Sequence, residues 1–572
     1  MAGHSNPTGS MVVQTDGTLI LETDHPSFEL ARDAVARFAD LDKTLDGFWF
    51  YRISPLSLWN AAASGLGLSD VVSSLTAYSR YDLPVRLARY LAEHLSRYGQ
   101  VQLTSLHGRL VLICPDSRLL EALTQHKRLR PLLAVRLDEH AWEIAPDERG
   151  PVKQVLVQLG YPAQDLVGYR AGAPLEVQLK KRTGSGAELA LRSYQRSAIE
   201  AYLAIGEPAG GSGVVVLPCG AGKTVVGLGI MARLQCATLV LTTSNVAVQQ
   251  WVRELLDKTS LVPGQVGEYT GHHKEVRPVT VTTYQILTHR RSTLEEEGYP
   301  HLGLFTGQKW GLIVYDEVHL LPAPVFRITA ALQATRRLGL TATLVREDGR
   351  QAEVFSLIGP KRYDAPWKEL ERQGWIATAQ CFEIRVDLAP GERLAYVAAG
   401  DRERVRLSAE NPAKLPVVQK LLAQHRDDQV LIIGQYRRQL KGIARALAAP
   451  LITGSTPDER REDWYRRFRA GEAKLLVVSK VANLAIDLPD ANVAIQVSGT
   501  FGSRQEEAQR LGRILRPKPG GGPARFYSIV TAFSRDLDFA AKRQLFLVER
   551  GYRYTVLDEH HLAAVLAAPD SG

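Results

Sequence analysis

Val214-Val215-Val216-Leu217-Pro218-Cys219-Gly220-Ala221-Gly222-Lys223-Thr224 is an apolar run that closes in a glycine-rich turn and opens onto a helical pattern. Gly220 and Gly222 let the backbone approach phosphates closely, and the amides of the turn, Ala221 included, form an anion nest with the following helix N-terminus. In such a turn Lys223 reaches the β- and γ-phosphates and Thr224 ligates magnesium. Strict spacing asks for a glycine where this chain has Leu217, a small irregularity. Cys219 reads as a small residue fitted to a tight bend rather than a redox group. About ninety residues further on, the apolar run Leu312 to Tyr315 leads into Asp316-Glu317-Val318-His319. That pattern puts Asp316 at the carboxyl end of a strand, where α/β sheets carry their reactive groups. Asp316 is expected to hold magnesium and Glu317 to act as general base on an attacking water. Alone, an Asp-Glu pair is as often a solvated strand end; the phosphate turn upstream decides for hydrolysis of a nucleoside triphosphate.

Outward from this core the pattern repeats. Val214 to Leu217, Thr238 to Thr242, Val279 to Thr282, Leu312 to Tyr315 and Arg337 to Leu340 are short buried-strand runs separated by helical stretches such as Val246 to Lys258. A second set follows at Gln429 to Ile433, Leu475 to Val478, Val493 to Val497 and Phe526 to Val530. Apolar strands alternating with amphipathic helices predict parallel sheets covered on both faces, here in two tandem α/β domains. Thr456-Pro457-Asp458-Glu459 reads as a capping box with proline at the first helical position, and Gly471 as the stop of that helix. Before these domains, Val12 to about Val177 is mixed. Ser57 to Ser74 and Pro84 to Tyr98 have helical spacing, and Val101 to Ile113 reads as two strands around Leu106-His107-Gly108-Arg109. The basic, then Gly/Ser-bearing, stretch Lys180 to Ala187 reads as a linker.

The chain has 572 residues, 45% hydrophobic and 23% charged, enough for three or four globular domains. A formal net charge of +9 is compatible with a polyanionic partner without demanding one. No apolar stretch reaches the roughly 18 residues that span a bilayer, and the polar start lacks a secretory pattern, so no membrane association is expected. The four cysteines are scattered without paired spacing, which argues against a metal cluster and for a reducing, cytoplasmic setting. Far downstream, Gln505 to Arg516 places Gln509, Arg513 and Arg516 about one helical turn apart on one side. Arginine runs are usually solvated faces. A second α/β domain that must sense the γ-phosphate gives these a use as arginine fingers, worth roughly 10³ to 10⁵ in rate in related chemistry.

This ordered set resembles superfamily 2 helicases, and more closely the XPB family of DNA repair helicases, particularly its bacterial members, over nearly the whole chain. The resemblance is carried by Leu191-Arg192-Ser193-Tyr194-Gln195, the turn Gly220 to Thr224, Thr282-Thr283-Tyr284-Gln285, Asp316 to His319, Gly339-Leu340-Thr341-Ala342-Thr343, Val481 to Pro489, and Gln509 to Arg516. Arg346-Glu347-Asp348, directly after the fifth of these, resembles the family's own RED motif, which is implicated in duplex opening and absent from generic helicases. The fold this implies is two tandem RecA-like parallel-sheet motor domains preceded by a mixed α+β N-terminal region. The implied boundaries are a mostly helical domain at 1–100, a damage-recognition-like domain and linker at 101–185, and motor domains at 186–375 and 376–572.

The resemblance also implies that ATP binds between the motor domains and DNA lies across both. Arg192 and Gln195 would read adenine, and Arg513 and Arg516 would stabilise the transition state. His319 and Gln509 would link hydrolysis to domain closure, while Thr283, Tyr284, Thr341, Thr343 and the Arg346-Glu347-Asp348 segment would meet DNA or couple to it. It further implies 3′-to-5′ movement, nucleotide excision repair, a nuclease partner and a place at the nucleoid. Only Leu388 to Leu415 is available for the thumb insertion of archaeal and eukaryotic relatives, so a full thumb is not expected. An RNA helicase and a non-motor nucleotide-binding protein remain the rival readings; the first lacks Arg346-Glu347-Asp348, and the second has no use for the distant arginines.

Overall fold

In the computed structural model the described residues are 9–204, 210–289, 301–342, 351–479, 491–499 and 523–558, less positions 46, 185, 219, 302, 333–334, 366, 376–378, 550–551 and 553. They divide into two compact units, Met1–Val216 with Lys223–Asp364, and Ala365–Gly572 with the short stretch Leu217–Gly222.

The first unit opens with strands β1 (Met11–Val13), β2 (Thr18–Glu22), β3 (Asp40–Leu45) and β4 (Phe48–Arg52), antiparallel in the order β1-β2-β4-β3. Alternation puts Leu19, Leu21, Trp49 and Tyr51 inside. Around them lie α1 (Phe28–Val35), α2 (Pro55–Ala63), α3 (Leu68–Tyr78) and α4 (Val85–Arg97). Ser54 and Ser57 cap α2 reciprocally, with Pro55 at its first position. The helical periodicity from Ser57 to Ser74 is two helices, because Gly65 takes φ +89° and ends the first.

A five-stranded sheet follows, of β5 (Gln102–Leu106), β6 (Arg109–Ile113), β7 (Leu133–Arg136), β8 (Ala141–Ile144) and β9 (Gln164–Asp165) in the order β7-β8-β6-β5-β9. The hairpin is where the sequence puts it; His107 and Gly108 take φ of 51° and 80°, the paired positive values whose twist suits a two-residue hairpin. Leu103, Leu112, Leu120 and Leu156 form its core with α5 (Ser117–Thr124) and α6 (Arg149–Gln158). On its outer side α6 meets the helix Ala323–Ala331 so closely that a Cβ at Gly150 would stand 2.2 Å from the Ala330 carbonyl oxygen.

Beside that contact the Asp165 carboxylate takes Arg149 Nη2 at 2.6 Å and Lys153 Nζ at 3.0 Å, all three side chains buried. Burial alone would raise the Asp165 carboxyl, but Lys153 and then Arg149 outweigh it and hold it well below the usual range. Burial lowers Lys153 to about 8 in spite of Asp165. Asp165→Asn would leave two buried cations without their anion, and is expected to cost about 3–5 kcal/mol of stability. The depressed carboxyl also fixes the sign with pH: its stabilisation is present above the unfolded carboxylate value of about 3.9 and is lost as pH falls through the lower folded one. Thermal unfolding of the variant at neutral pH checks this, and an unchanged melting temperature contradicts it. The Lys180–Ala187 stretch read as a linker is tied down, with Lys180 N donating to Lys258 O and Gly184 N to Asp257 O.

The first motor sheet consists of β10 (Ser212–Val216), β11 (Thr238–Thr242), β12 (Val266–Tyr269), β13 (Val279–Thr283), β14 (Leu312–Asp316), β15 (Arg336–Thr341) and β16 (Lys361–Asp364). All pairs are parallel, in the order β12-β13-β11-β14-β15-β10-β16. Every residue of β10, β11 and β13 is buried, as strands covered on both faces require. The flanking helices are α7 (Ser193–Leu203), α8 (Lys223–Leu234), α9 (Asn245–Lys258) and the short α10 (Tyr284–Thr288). The phosphate turn, Thr341 and Asp316 therefore stand at the carboxyl ends of the adjacent strands β10, β15 and β14, and Thr283 at that of β13, two places from β14.

In the second unit β17 (Ala379–Val386), β18 (Val430–Gly434), β19 (Leu451–Ile452), β20 (Leu475–Ser479), β21 (Val493–Gln496), β22 (Ala524–Thr531) and β23 (Tyr554–Asp558) make another parallel sheet, β19-β20-β18-β21-β22-β17-β23. The expected fold class, two parallel-sheet α/β domains after a mixed α+β region, is the one observed. The capping box at Thr456 is not: the Thr456 hydroxyl accepts from Thr453 N at 2.9 Å, and Pro457 itself is the cap of the helix Asp458–Arg469. That helix does end before Gly471, at φ +73°. Where a thumb would sit are two helices of 9 residues each, Pro390–Ala398 and Asp401–Ala409.

Candidate active site

Gly220 and Gly222 adopt φ of 81° and 80°, a region that side-chain-bearing residues rarely enter. They leave the turn before α8 without a Cβ at these two positions, and α8 begins at Lys223, with Thr224 in its first turn. Lys223 Nζ lies 3.1 Å from Glu317 Oε1, the two side chains only 13% and 17% exposed. The turn that leaves β14 is tight: Glu317 has φ +51°, uncommon for a residue with a side chain and typical of strained functional positions.

Two adjacent carboxylates are driven apart here. Burial, and next the charge of Glu317, push Asp316 up to about 6. Burial would raise Glu317 as well, but the Lys223 ammonium and then His319 outweigh it and hold that carboxyl low. Glu317 is thus the member held in its charged form, while Asp316, which Lys223 offsets only in part, is held toward its neutral form until a cation meets it. The donor set, the Lys223 ammonium, the Asp316 and Glu317 carboxylates and a threonine in the first turn of α8, fits a polyphosphate with a hard divalent cation.

His319 Nδ1 lies 2.7 Å from the Thr341 hydroxyl and 3.5 Å from Glu317 Oε2. The end of β14 is thereby joined to the end of β15, so Lys223, Glu317, His319 and Thr341 form one connected line. Tyr284, expected at the DNA side, is buried, and its hydroxyl donates to the Asp316 carbonyl at 2.9 Å. Thr283 caps α10 by accepting from Ile286 N. Arg192 and Gln195 meet at the start of α7, where Gln195 Oε1 accepts from Arg192 N at 3.0 Å; the side-chain carbonyl serves as a helix cap.

Sequence reasoning missed Trp251. Its indole Nε1 donates to Asp316 Oδ2 at 2.9 Å, fixing the carboxylate from α9. The ring fits because position 227 on α8 is glycine; a Cβ there would stand 2.8 Å from Trp251 Cη2. Thr343, Arg346, Glu347, Asp348, Val481 to Pro489, Gln509, Arg513 and Arg516 lie outside the described residues.

Three family models match the chain: the ERCC3/RAD25/XPB C-terminal helicase at residues 370–566, the type III restriction enzyme res subunit at 188–346, and a helicase conserved C-terminal domain at 11–138. The last falls on the N-terminal region, outside both motor sheets. The DNA 3′-5′ helicase XPB of Mycobacterium tuberculosis is 51% identical over 556 residues, covering 97% of this chain and 98% of that protein. The DNA 3′-5′ helicase XPB of Kineococcus radiotolerans is 52% identical over 552 residues, 96% of each. The general transcription and DNA repair factor IIH helicase/translocase subunit XPB/SSL2 of Saccharomyces cerevisiae is 30% identical over 613 residues, 96% of this chain and 72% of that one. With a parallel-sheet hydrolytic site in place and likeness of this extent along its whole length, the chain belongs to the XPB family of DNA helicases.

Proposed function

We propose that this protein hydrolyses ATP to open duplex DNA, moving 3′ to 5′, and that it serves nucleotide excision repair. The observation that carries the reading is the line Lys223–Glu317–His319–Thr341, which joins the nucleotide end of α8 to the strand end from which Arg346-Glu347-Asp348 follows in sequence. Lys223 neutralises the β- and γ-phosphates. Thr224 and Asp316 would hold magnesium, which would supply further charge neutralisation. Glu317 takes the proton of the attacking water and keeps it, and the loss of its charge is felt by His319, whose hydrogen bond with Thr341 then shifts.

A groove beside α9 and α10, lined by Thr243, Ser244, Thr283 and Gln285, offers hydroxyls and amides to a nucleic-acid backbone. Arg192 and Gln195 are assigned to adenine, Arg513 and Arg516 to the transition state, and Gln509 to closure. Domains at 1–100, 101–185, 186–375 and 376–572, a nuclease partner and residence in the cytoplasm at the nucleoid complete the proposal. Among the described residues no helix is long and apolar enough to cross a membrane.

Replacing Arg346, Glu347 and Asp348 together with alanine should leave DNA-stimulated ATPase largely intact and cripple strand separation. Comparable loss of both activities points to a folding or closure defect, and undiminished separation removes this segment from duplex opening. Stimulation of the ATPase by RNA in place of DNA would favour the RNA-helicase alternative.

A further inference from the structure

The groove along Thr243 and Thr283 is also lined by residues that belong to none of the motifs named above. Its volume is about 610 Å³, and Gly271, Lys274, His289 and His301 line it as well. None of the described residues lining it carries a carboxylate. Lys274 comes from the turn after β12. An antiparallel bridge pairs Tyr269 with Lys274, Thr270 N donates to His273 O at 2.7 Å, and the Thr282 hydroxyl donates to Tyr269 O at 2.7 Å. The turn is thus fastened to β13, one residue before Thr283.

Tyr269 is the platform of this part of the lining. Lys274 Nζ stands 4.6 Å from its ring centroid, a cation–π seat. Its hydroxyl lies 3.0 Å from His301 Nδ1, the two rings edge to face at 5.7 Å. The nearby Glu275 carboxylate faces Arg277 at 3.8 Å, and no carboxylate among the described residues pairs with Lys274. A cation and imidazoles at a groove with no acid among its described lining residues fit an anionic occupant large enough to span it, a phosphodiester chain better than a single small ion.

We propose that Lys274, seated on Tyr269 beside His301, binds a backbone phosphate of the strand in this groove, adding a charged contact to the hydroxyls of Thr243 and Thr283. The inference rests on the reading of DNA as the substrate. Binding of a labelled single-stranded oligonucleotide to the full chain, titrated at several salt concentrations, tests it. Lys274→Gln should weaken binding several-fold and reduce the slope of log K against log salt by about 0.7, the value of one single-strand phosphate contact. Lys274→Arg should restore both. In the DNA-stimulated ATPase, Lys274→Gln should raise the DNA concentration for half-stimulation and leave kcat at saturating DNA unchanged. Tyr269→Leu, which removes the seat and keeps the cation, should lose part of the same affinity. An unchanged slope in Lys274→Gln, or a fall in kcat with unchanged half-stimulation, would overturn the inference while leaving the helicase reading intact. Failure of the wild-type chain to bind DNA would overturn that reading and this inference with it.

Discussion

Glu317→Gln should bind ATP at least as well as the wild type and hydrolyse it about 10² to 10⁴ times more slowly, the usual contribution of a positioned general base. The amide keeps the size of the carboxyl but cannot take a proton from water. It also frees Lys223 from a buried ion pair at 3.1 Å, so the ammonium no longer has to be drawn from a carboxylate to meet phosphate. Lys223→Ala should fail differently. The phosphates lose their cationic partner, nucleotide affinity falls, and Glu317 and Asp316 are left close together in a buried site without the charge that separates them. Titration with a fluorescent nucleotide beside phosphate release distinguishes the two losses. Wild-type turnover by Glu317→Gln would remove that residue from the catalytic role.

Arg513→Ala and Arg516→Ala should leave ATP binding close to wild type and lower hydrolysis sharply, up to the roughly 10³ to 10⁵ that an arginine finger contributes elsewhere. The difference between binding and turnover follows from when the charge is needed. On the proposed reading Lys223 and the amides of the phosphate turn would already balance the γ-phosphate in the ground state, and additional negative charge would reach the equatorial oxygens only in the transition state. A guanidinium placed for that moment changes kcat rather than affinity. Equal losses of affinity and turnover would make these arginines ordinary phosphate ligands, and turnover unchanged in both variants would show that hydrolysis is completed without them.

The buried strands of both motor sheets were legible in the sequence because four or five consecutive apolar residues between turn signals admit few other readings. The strands that escaped it are the four outer ones, β12, β16, β19 and β23, and β17, one place in from the edge, whose residues are buried only in part. Partly exposed sequences such as Lys361 to Asp364 lack the apolar continuity that marks a central strand. The N-terminal sheet was hidden for a related reason: β1 to β4 are short, alternate only briefly and are interrupted by α1. In the site, Lys223, Asp316 and Glu317 could be picked out as candidates by local spacing, and the fold brings Lys223 and Glu317 together. The Trp251 bond to Asp316 could not, since α9 and β14 meet only through the fold. Likewise nothing in Thr282-Thr283-Tyr284-Gln285 announces that the Tyr284 hydroxyl turns inward to the Asp316 carbonyl. Thr456 misled because Thr-x-x-Glu scores as a capping box, whereas its hydroxyl is taken by the preceding turn.

The most direct measurement of the central claim is strand displacement on duplexes with single-stranded 3′ or 5′ tails, with ATP consumption followed in the same reactions. Separation of the duplex bearing the 3′ tail, dependent on ATP and abolished by Glu317→Gln, is the predicted result. ATP consumption that DNA does not stimulate, together with no strand separation on either substrate, would contradict it.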